Sequence, residues 1–75
     1  MIVRLKRETI KSMSGQIPLF KEIMEDFNLE SIETVRRWLR ENKPNGPLTS
    51  KAALNIISKG LSVPEEYLIN VSESV

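Results

Sequence analysis

The residues best equipped for chemistry are three arginines and a glutamate within residues 31–42. Arg36, Arg37 and Arg40 carry guanidinium groups, and each guanidinium donates hydrogen bonds in a planar fork that fits two acceptors at once. Glu33, three residues before Arg36, adds a hydrogen-bond acceptor. A helix that carries such a row is suited to contact a polyanion or the hydrogen-bonding edges of nucleic-acid bases.

A helix over residues 31–42 would hold these groups on one side. Val35, Trp38 and Leu39 have the i, i+3, i+4 spacing of a buried stripe, which leaves the arginines on the opposite face. Ser31 is the expected N-cap. For Trp38 a place in the core is the main interpretation, and stacking on a ligand is the minor one.

The arginine face also has a plain explanation. Glu33 precedes Arg36 by three residues and Arg37 by four, the spacings at which ion pairs form along a helix. The same residues could therefore be a solvated surface with salt bridges. The sequence of this helix alone does not decide between a binding face and a solvated one.

Composition excludes several classes of chemistry. The chain has 75 residues, a size typical of one small domain, and 40% of them are hydrophobic. It has no cysteine and no histidine, which excludes disulfides, zinc fingers and imidazole catalysis. No nucleophile–base pair or phosphate-binding loop stands out, so we expect neither an enzyme nor a cofactor. Without an apolar run of about 20 residues or a signal peptide, a cytoplasmic protein with no membrane partner is expected.

Charge is unevenly distributed, although the formal net charge is only +1. Residues 1–14 and 31–60 are mainly basic, and residues 15–30 and 61–75 are mainly acidic. If the basic segments converge, they form a positive face that attracts a polyanion. The basic side chains of residues 1–14 are either a DNA-reaching arm or a solvated face. The acidic side chains of residues 15–30 are better explained by a solvated helix face than by a metal site, because no calcium-loop glycine accompanies them.

The apolar pattern predicts an all-α fold, a compact bundle of about five short helices. Glycine and asparagine are expected in left-handed turns at Gly15, Asn28 and Gly60. Thr49 is the preferred N-cap of the fourth helix, and Ser62 begins a capping-box pattern before the fifth.

Residues 1–5 could be a strand, an arm or the entry to the first helix. Tyr67, Leu68 and Ile69 could close the core or form a dimer surface. The predicted helices cover about residues 6–13, 17–27, 31–42, 49–60 and 63–69 of a single domain spanning 1–70, followed by a disordered tail at 71–75.

The second and third predicted helices and the tight turn between them form a helix-turn-helix candidate. Phe27-Asn28-Leu29, followed by Glu-Thr-Val-Arg-Arg-Trp-Leu at residues 33–39, resembles the helix-turn-helix of the Cro and phage-repressor class of DNA-binding domains. Residues 47–68 resemble the fourth and fifth helices of the same class. Three features depart from the family pattern. The turn is one residue longer, Met24 replaces a small residue, and Asn28 replaces the turn glycine.

The resemblance implies a DNA-binding function and two sets of contact residues. It implies base-reading contacts from the third helix and phosphate contacts from helix N-termini and the following loop. The base-reading set is Ser31, Glu33, Thr34, Arg36, Arg37 and Arg40. The phosphate set is Gln16, Lys43, Asn45, Thr49, Ser50 and Lys51.

Two functions are therefore kept open. The first is sequence-specific binding of double-stranded DNA by a small, phage-type or mobile-element-type transcriptional regulator, acting as a homodimer and without a small-molecule ligand. The second is a protein-interaction module on the same fold that modulates another repressor. The acidic second helix motivates the second function, because carboxylates beside a reading helix repel phosphate.

Overall fold

The computed structural model describes residues 1–72. Within them, two strands from opposite ends of the chain pair with each other, and four α-helices lie between the strands in sequence. Short 3₁₀ helices precede the fourth helix (Pro47–Thr49) and the second strand (Glu65–Tyr67). The main elements are β1 (Ile2–Leu5), α1 (Arg7–Met13), α2 (Ile17–Asp26), α3 (Ile32–Glu41), α4 (Lys51–Leu61) and β2 (Ile69–Ser72).

The predicted all-α bundle of five helices is wrong, because the fold mixes four α-helices with a two-stranded antiparallel sheet. The fifth predicted helix is only a 3₁₀ helix, after which the chain extends into β2. The carbonyl oxygen of Leu68 accepts the N–H of Lys6 at 2.9 Å and the hydroxyl of Thr9 at 2.8 Å. These long-range bonds hold the C-terminal segment beside β1, so tertiary pairing overrides the local helical pattern.

The strand pairing also revises both predicted ends of the chain. Residues 2–5 form β1, one of the three conformations that the sequence left open. Val71 and Ser72, predicted to belong to a disordered tail, lie in β2 opposite Val3 and Ile2. The rest of the predicted tail, residues 73–75, lies outside the described residues.

The core lies between the helices and one face of the sheet. Every element except the Glu65–Tyr67 3₁₀ helix and β2 contributes at least one buried side chain, and Leu68, directly before β2, completes the core. Among residues 1–72, Thr9 is the one buried polar residue, and its hydroxyl donates a hydrogen bond to the carbonyl of Leu68. The buried apolar residues are Leu5, Met13, Leu19, Phe20, Ile23, Val35, Leu39, Leu48, Ala53, Leu54, Ile57 and Leu68.

Two of the three predicted left-handed turns are confirmed. Gly15 has φ 82° and Asn28 has φ 56°. Gly60 instead lies inside α4, and the C-cap of this helix, Ser62, has the left-handed conformation. A Cβ atom on Gly60 would lie 2.7 Å from Cδ1 of Leu19, so glycine at this position lets α4 approach α2 closely.

The caps before α4 and β2 differ from prediction. Ser50, not Thr49, caps α4, because its hydroxyl oxygen accepts the N–H of Ala53 at 3.3 Å. Thr49 belongs to the preceding 3₁₀ helix. The predicted capping box at Ser62 does not form, because Ser62 is the C-cap of α4 and no side chain caps the following 3₁₀ helix.

Two asparagines after α3 bind the backbone of β1. The Asn42 amide accepts the N–H of Leu5 and donates to the carbonyl of Leu5, both at 3.2 Å. The Asn45 amide accepts the N–H of Val3 at 3.0 Å and donates to the carbonyl of Met1 at 3.2 Å. The backbone N–H of Asn45 donates to the carbonyl of Val3 at 2.8 Å. Because Asn42 is also the C-cap of α3, these bonds fix the end of α3 against the sheet.

Candidate nucleic-acid interface

The turn between α2 and α3 is held by backbone hydrogen bonds and by an aromatic pair. The N–H of Leu29 donates to the carbonyl of Met24 at 2.8 Å, while Asn28 takes up the positive φ of the turn. Phe27 and Trp38 meet edge to face with ring centroids 5.7 Å apart. Trp38 is half-buried and packs on the core, as the main interpretation of the sequence expected. The α2–α3 pair is therefore a fixed unit rather than two independent helices.

The α3 surface, defined as Glu33, Arg36, Arg37 and Arg40, is exposed as the sequence predicted. On the opposite side of the helix Val35 is fully buried. Nη1 of Arg36 lies 2.8 Å from Oε1 of Glu33, an ion pair whose side chains are 43% and 65% exposed. Within residues 1–72, Arg37 and Arg40 form no ion pair, so their donors are free for another acceptor.

Two other predicted base-reading residues, Ser31 and Thr34, are less accessible to a ligand because one caps a helix and the other is half-buried. The hydroxyl oxygen of Ser31 accepts the N–H of Glu33 at 3.1 Å, which confirms Ser31 as the N-cap of α3. Thr34 is half-buried. Ile32, the first residue of α3, packs against the core, so the longer turn places an apolar residue at the start of the helix on the protein side.

Basic side chains continue from α3 across the start of the chain. One groove is lined by Arg36 and Arg40 together with Ile10, and an adjoining groove is lined by Arg4 and Arg7, again with Ile10. Among residues 1–72, no carboxylate lines either groove. Arg4 and Arg7, called here the flanking arginines, therefore line a groove that meets the groove of Arg36 and Arg40 at Ile10. The signal for them in the sequence is the basic composition of residues 1–14.

Three of the six predicted phosphate contacts have polar side chains occupied elsewhere. The Asn45 amide binds β1. The Thr49 hydroxyl donates to the carbonyl of Gly46 at 2.7 Å, and the Ser50 hydroxyl donates to that of Pro47 at 2.8 Å. Gln16, Lys43 and Lys51 are exposed, with Gln16 at the N-cap of α2 and Lys51 the first residue of α4.

The Lys43 ammonium has one acidic neighbour. Its Nζ lies 4.0 Å from the Glu41 carboxylate, at the limit of an ion pair, and 68% of the Lys43 side chain is exposed. Such a long, exposed pair is weak. Lys43 therefore stays available to a phosphate on the loop that follows α3.

Comparison with protein-family models, curated proteins and solved structures finds no match to this chain. Among residues 1–72, no helix has the length and apolar character needed to cross a membrane. The same residues contain no group of three or more acidic side chains placed to hold a metal ion.

Proposed function

We propose that the chain binds double-stranded DNA through the α3 surface, as a small cytoplasmic transcriptional regulator that acts as a homodimer and resembles the Cro and phage-repressor class. The observation that carries the proposal is the division of α3 into two sides. Val35 and Leu39 are buried, and Trp38 packs on Phe27, while the charged side chains on the other side are exposed. A helix held rigidly on one side and charged on the other has the form needed in a major groove.

The free arginines are the strongest candidates for base contacts. An arginine fork pairs with O6 and N7 of guanine, and one such contact contributes about 1–3 kcal/mol of discrimination. Arg37 and Arg40 form no ion pair within residues 1–72, so they offer this fork without first losing such a partner. Arg36 must exchange its bond to Glu33, but an exposed ion pair of this kind is worth only about 0.2–1 kcal/mol.

Phosphate contacts would come from exposed basic and polar side chains outside α3. Lys43 and Lys51 follow α3 along the chain, and Gln16 stands at the start of α2. The flanking arginines, Arg4 and Arg7, extend the basic surface beyond the helix. Each phosphate neutralised by such a side chain adds about 0.9 to the slope of log affinity against log salt.

The test begins with fluorescence anisotropy on a random-sequence duplex across a range of salt, followed by selection of a preferred sequence. We expect binding that weakens steeply as salt rises. Arg37→Ala should lower affinity for the selected duplex by about 5- to 150-fold, the equivalent of about 1–3 kcal/mol, and relax base preference. Lys51→Ala should weaken all duplexes alike and reduce the salt slope by about 1.

Lys59→Ala is the matched control, because Lys59 is an exposed lysine in the last turn of α4 and belongs to neither predicted set of contact residues. This variant should bind both duplexes as the original chain does. If the anisotropy shows no binding to any duplex at low salt, the proposal is refuted. The remaining hypothesis would then be the protein-interaction module on the same fold.

A further inference from the structure

We infer that the outer edge of β2 pairs with the same edge of a second copy of this chain, forming a four-stranded antiparallel sheet across a two-fold axis. The inference deepens the proposed function, which calls for a dimer, by naming the surface that joins the two copies. Its evidence is a difference between the two edges of the sheet. Asparagine side chains close one edge, and within residues 1–72 no backbone or side-chain group is bonded to the other, which is called here the open edge.

The edge of β1 that faces away from β2 is closed. The N–H and carbonyl of Leu5 both bind the Asn42 amide. The N–H of Val3 binds the Asn45 side chain, and the carbonyl of Val3 binds the Asn45 backbone. The carbonyl of Met1 is bound by the same asparagine. These asparagines occupy the positions that another strand would use, so β1 is not available to a partner.

The register shows which groups of β2 face outward. In an antiparallel pair, opposite residues either exchange both hydrogen bonds or exchange none. The backbone groups of Leu5 point to Asn42, so its opposite residue, Ile69, makes no hydrogen bond to β1. The same holds for Val71, which lies opposite Val3. The N–H and carbonyl groups of Ile69 and Val71 therefore point away from β1 along the open edge.

The open edge of β2 is complementary to itself. A two-fold axis at Asn70 would set Ile69 opposite Val71 of the second copy, and Val71 opposite Ile69. Each of these two pairs exchanges two hydrogen bonds, so all the outward backbone groups of Ile69 and Val71 are satisfied. The side chains of Ile69 and Val71 share the face of Leu5 and would form two apolar cross-strand contacts. Val71 is 52% exposed in the single chain and would gain cover.

The composition of β2 favours a second copy as the occupant. Natural sheet edges are commonly protected by charged side chains, proline or bulges. β1 carries Arg4 in addition to the asparagine bonds, whereas the residues of β2, Ile-Asn-Val-Ser, include no charge and no proline. Within β2 itself, no like charges would face each other when the strand pairs with its copy. Because a four-residue strand gives a small interface, we expect reversible, concentration-dependent association.

Sedimentation equilibrium of the full chain without DNA tests the inference. We expect the original chain to associate as concentration rises. Val71→Pro removes an outward N–H but no bond to β1, and proline is tolerated at such an edge position. It should raise the apparent dissociation constant at least tenfold and preserve the helical circular dichroism. The control Val71→Thr keeps the N–H and the β-branched shape, and should associate like the original chain.

Amide hydrogen exchange of the original chain provides a test that needs no variant. The N–H groups of Ile69 and Val71 should exchange more slowly at high concentration, whereas the N–H of Lys6, bonded to Leu68 within the chain, should change little. A chain that stays monomeric at every concentration would overturn the inference, as would a Val71→Pro variant that associates normally. A monomeric chain would also contradict the homodimer of the proposed function, whereas normal association of Val71→Pro would contradict only this surface. Whether the chain binds DNA is measured separately by the anisotropy experiment.

Discussion

Asn42 joins the C-terminal end of α3 to β1, and we expect Asn42→Gly to lower the free energy of unfolding by about 1–3 kcal/mol. Asn42 has φ 41°, a conformation that glycine adopts without strain, so the substitution removes the side chain and keeps the backbone. The amide makes two partly buried hydrogen bonds to Leu5, each at 3.2 Å. A hydrogen bond of this kind contributes about 0.5–1.5 kcal/mol net, and two of them give the expected range.

Two other asparagines make this experiment a matched series. Asn28 has φ 56° and no side-chain hydrogen bond within residues 1–72, so Asn28→Gly measures the effect of glycine on the unfolded chain alone. Asn45 has φ 54° and binds Val3 and Met1, but these bonds are exposed and water can partly replace them. We expect the loss of stability to be largest for Asn42→Gly, intermediate for Asn45→Gly and smallest for Asn28→Gly.

Urea denaturation followed by circular dichroism measures the three changes on one scale. A loss of 1 kcal/mol lowers the melting temperature of a domain of this size by about 4–8 °C, so thermal melting provides a second readout. Equal destabilisation by Asn42→Gly and Asn28→Gly would refute the reasoning, because the hydrogen bonds between the Asn42 side-chain amide and Leu5 would then contribute nothing to stability.

Two further predictions concern the packing behind the sheet and between α2 and α4. Thr9→Val keeps the shape of a buried side chain but removes its 2.8 Å hydrogen bond to the carbonyl of Leu68, and calorimetry should show a loss of about 0.5–1.5 kcal/mol; an unchanged melting temperature would contradict this. Gly60→Ala places a methyl group 2.7 Å from Cδ1 of Leu19. Leu19 is buried, which restricts its movement away from the new methyl group, and overpacking costs about 1–3 kcal/mol against a helix-propensity gain of about 1 kcal/mol. Urea denaturation should therefore show a less stable protein. A more stable protein would mean that Leu19 moves aside freely.

The helices could be predicted from the sequence because their signals are local. The apolar spacing in α3, the N-cap Ser31 and the left-handed residues Gly15 and Asn28 all depend on neighbours within a few positions. Local backbone preference and apolar period agree in these segments, so four of the five predicted helices are present with ends shifted by one or two residues.

The sheet could not be predicted in the same way, because its two strands come from opposite ends of the chain. β2 depends on the pairing of Ile69 with Leu5 and on the bond between Leu68 and Lys6, contacts that no local pattern encodes. The segment around Leu68 has an apolar spacing that also suits a short helix, and the long-range pairing decides between the two. The hydrogen bonds between the Asn42 side-chain amide and β1 could not be predicted from the sequence for the same reason.

The candidate site was predictable in its charged part and less so in its polar part. Exposure of Arg37 and Arg40 follows from the burial of the opposite side of α3, which the apolar spacing predicts. The hydroxyls of Thr49 and Ser50 belong to a capped 3₁₀-to-α junction, whose hydrogen bonds depend on where each helix begins. The resemblance assigned Ser31 to the bases, although its role as N-cap already commits its oxygen to the backbone.

β1 connects the two proposals physically. Its Leu5 binds Asn42, the C-cap of α3, and lies opposite Ile69 on the open strand. In two copies joined along β2, the distance between the two α3 helices would therefore be fixed by the contacts from Asn42 to Leu5 and from Leu5 to Ile69. A dimeric helix-turn-helix protein needs such a fixed separation, because its half-sites lie about 34–36 Å apart. Loss of Asn42 would then disturb the alignment of the two helices, whereas loss of Arg37 would remove base contacts and leave the alignment intact.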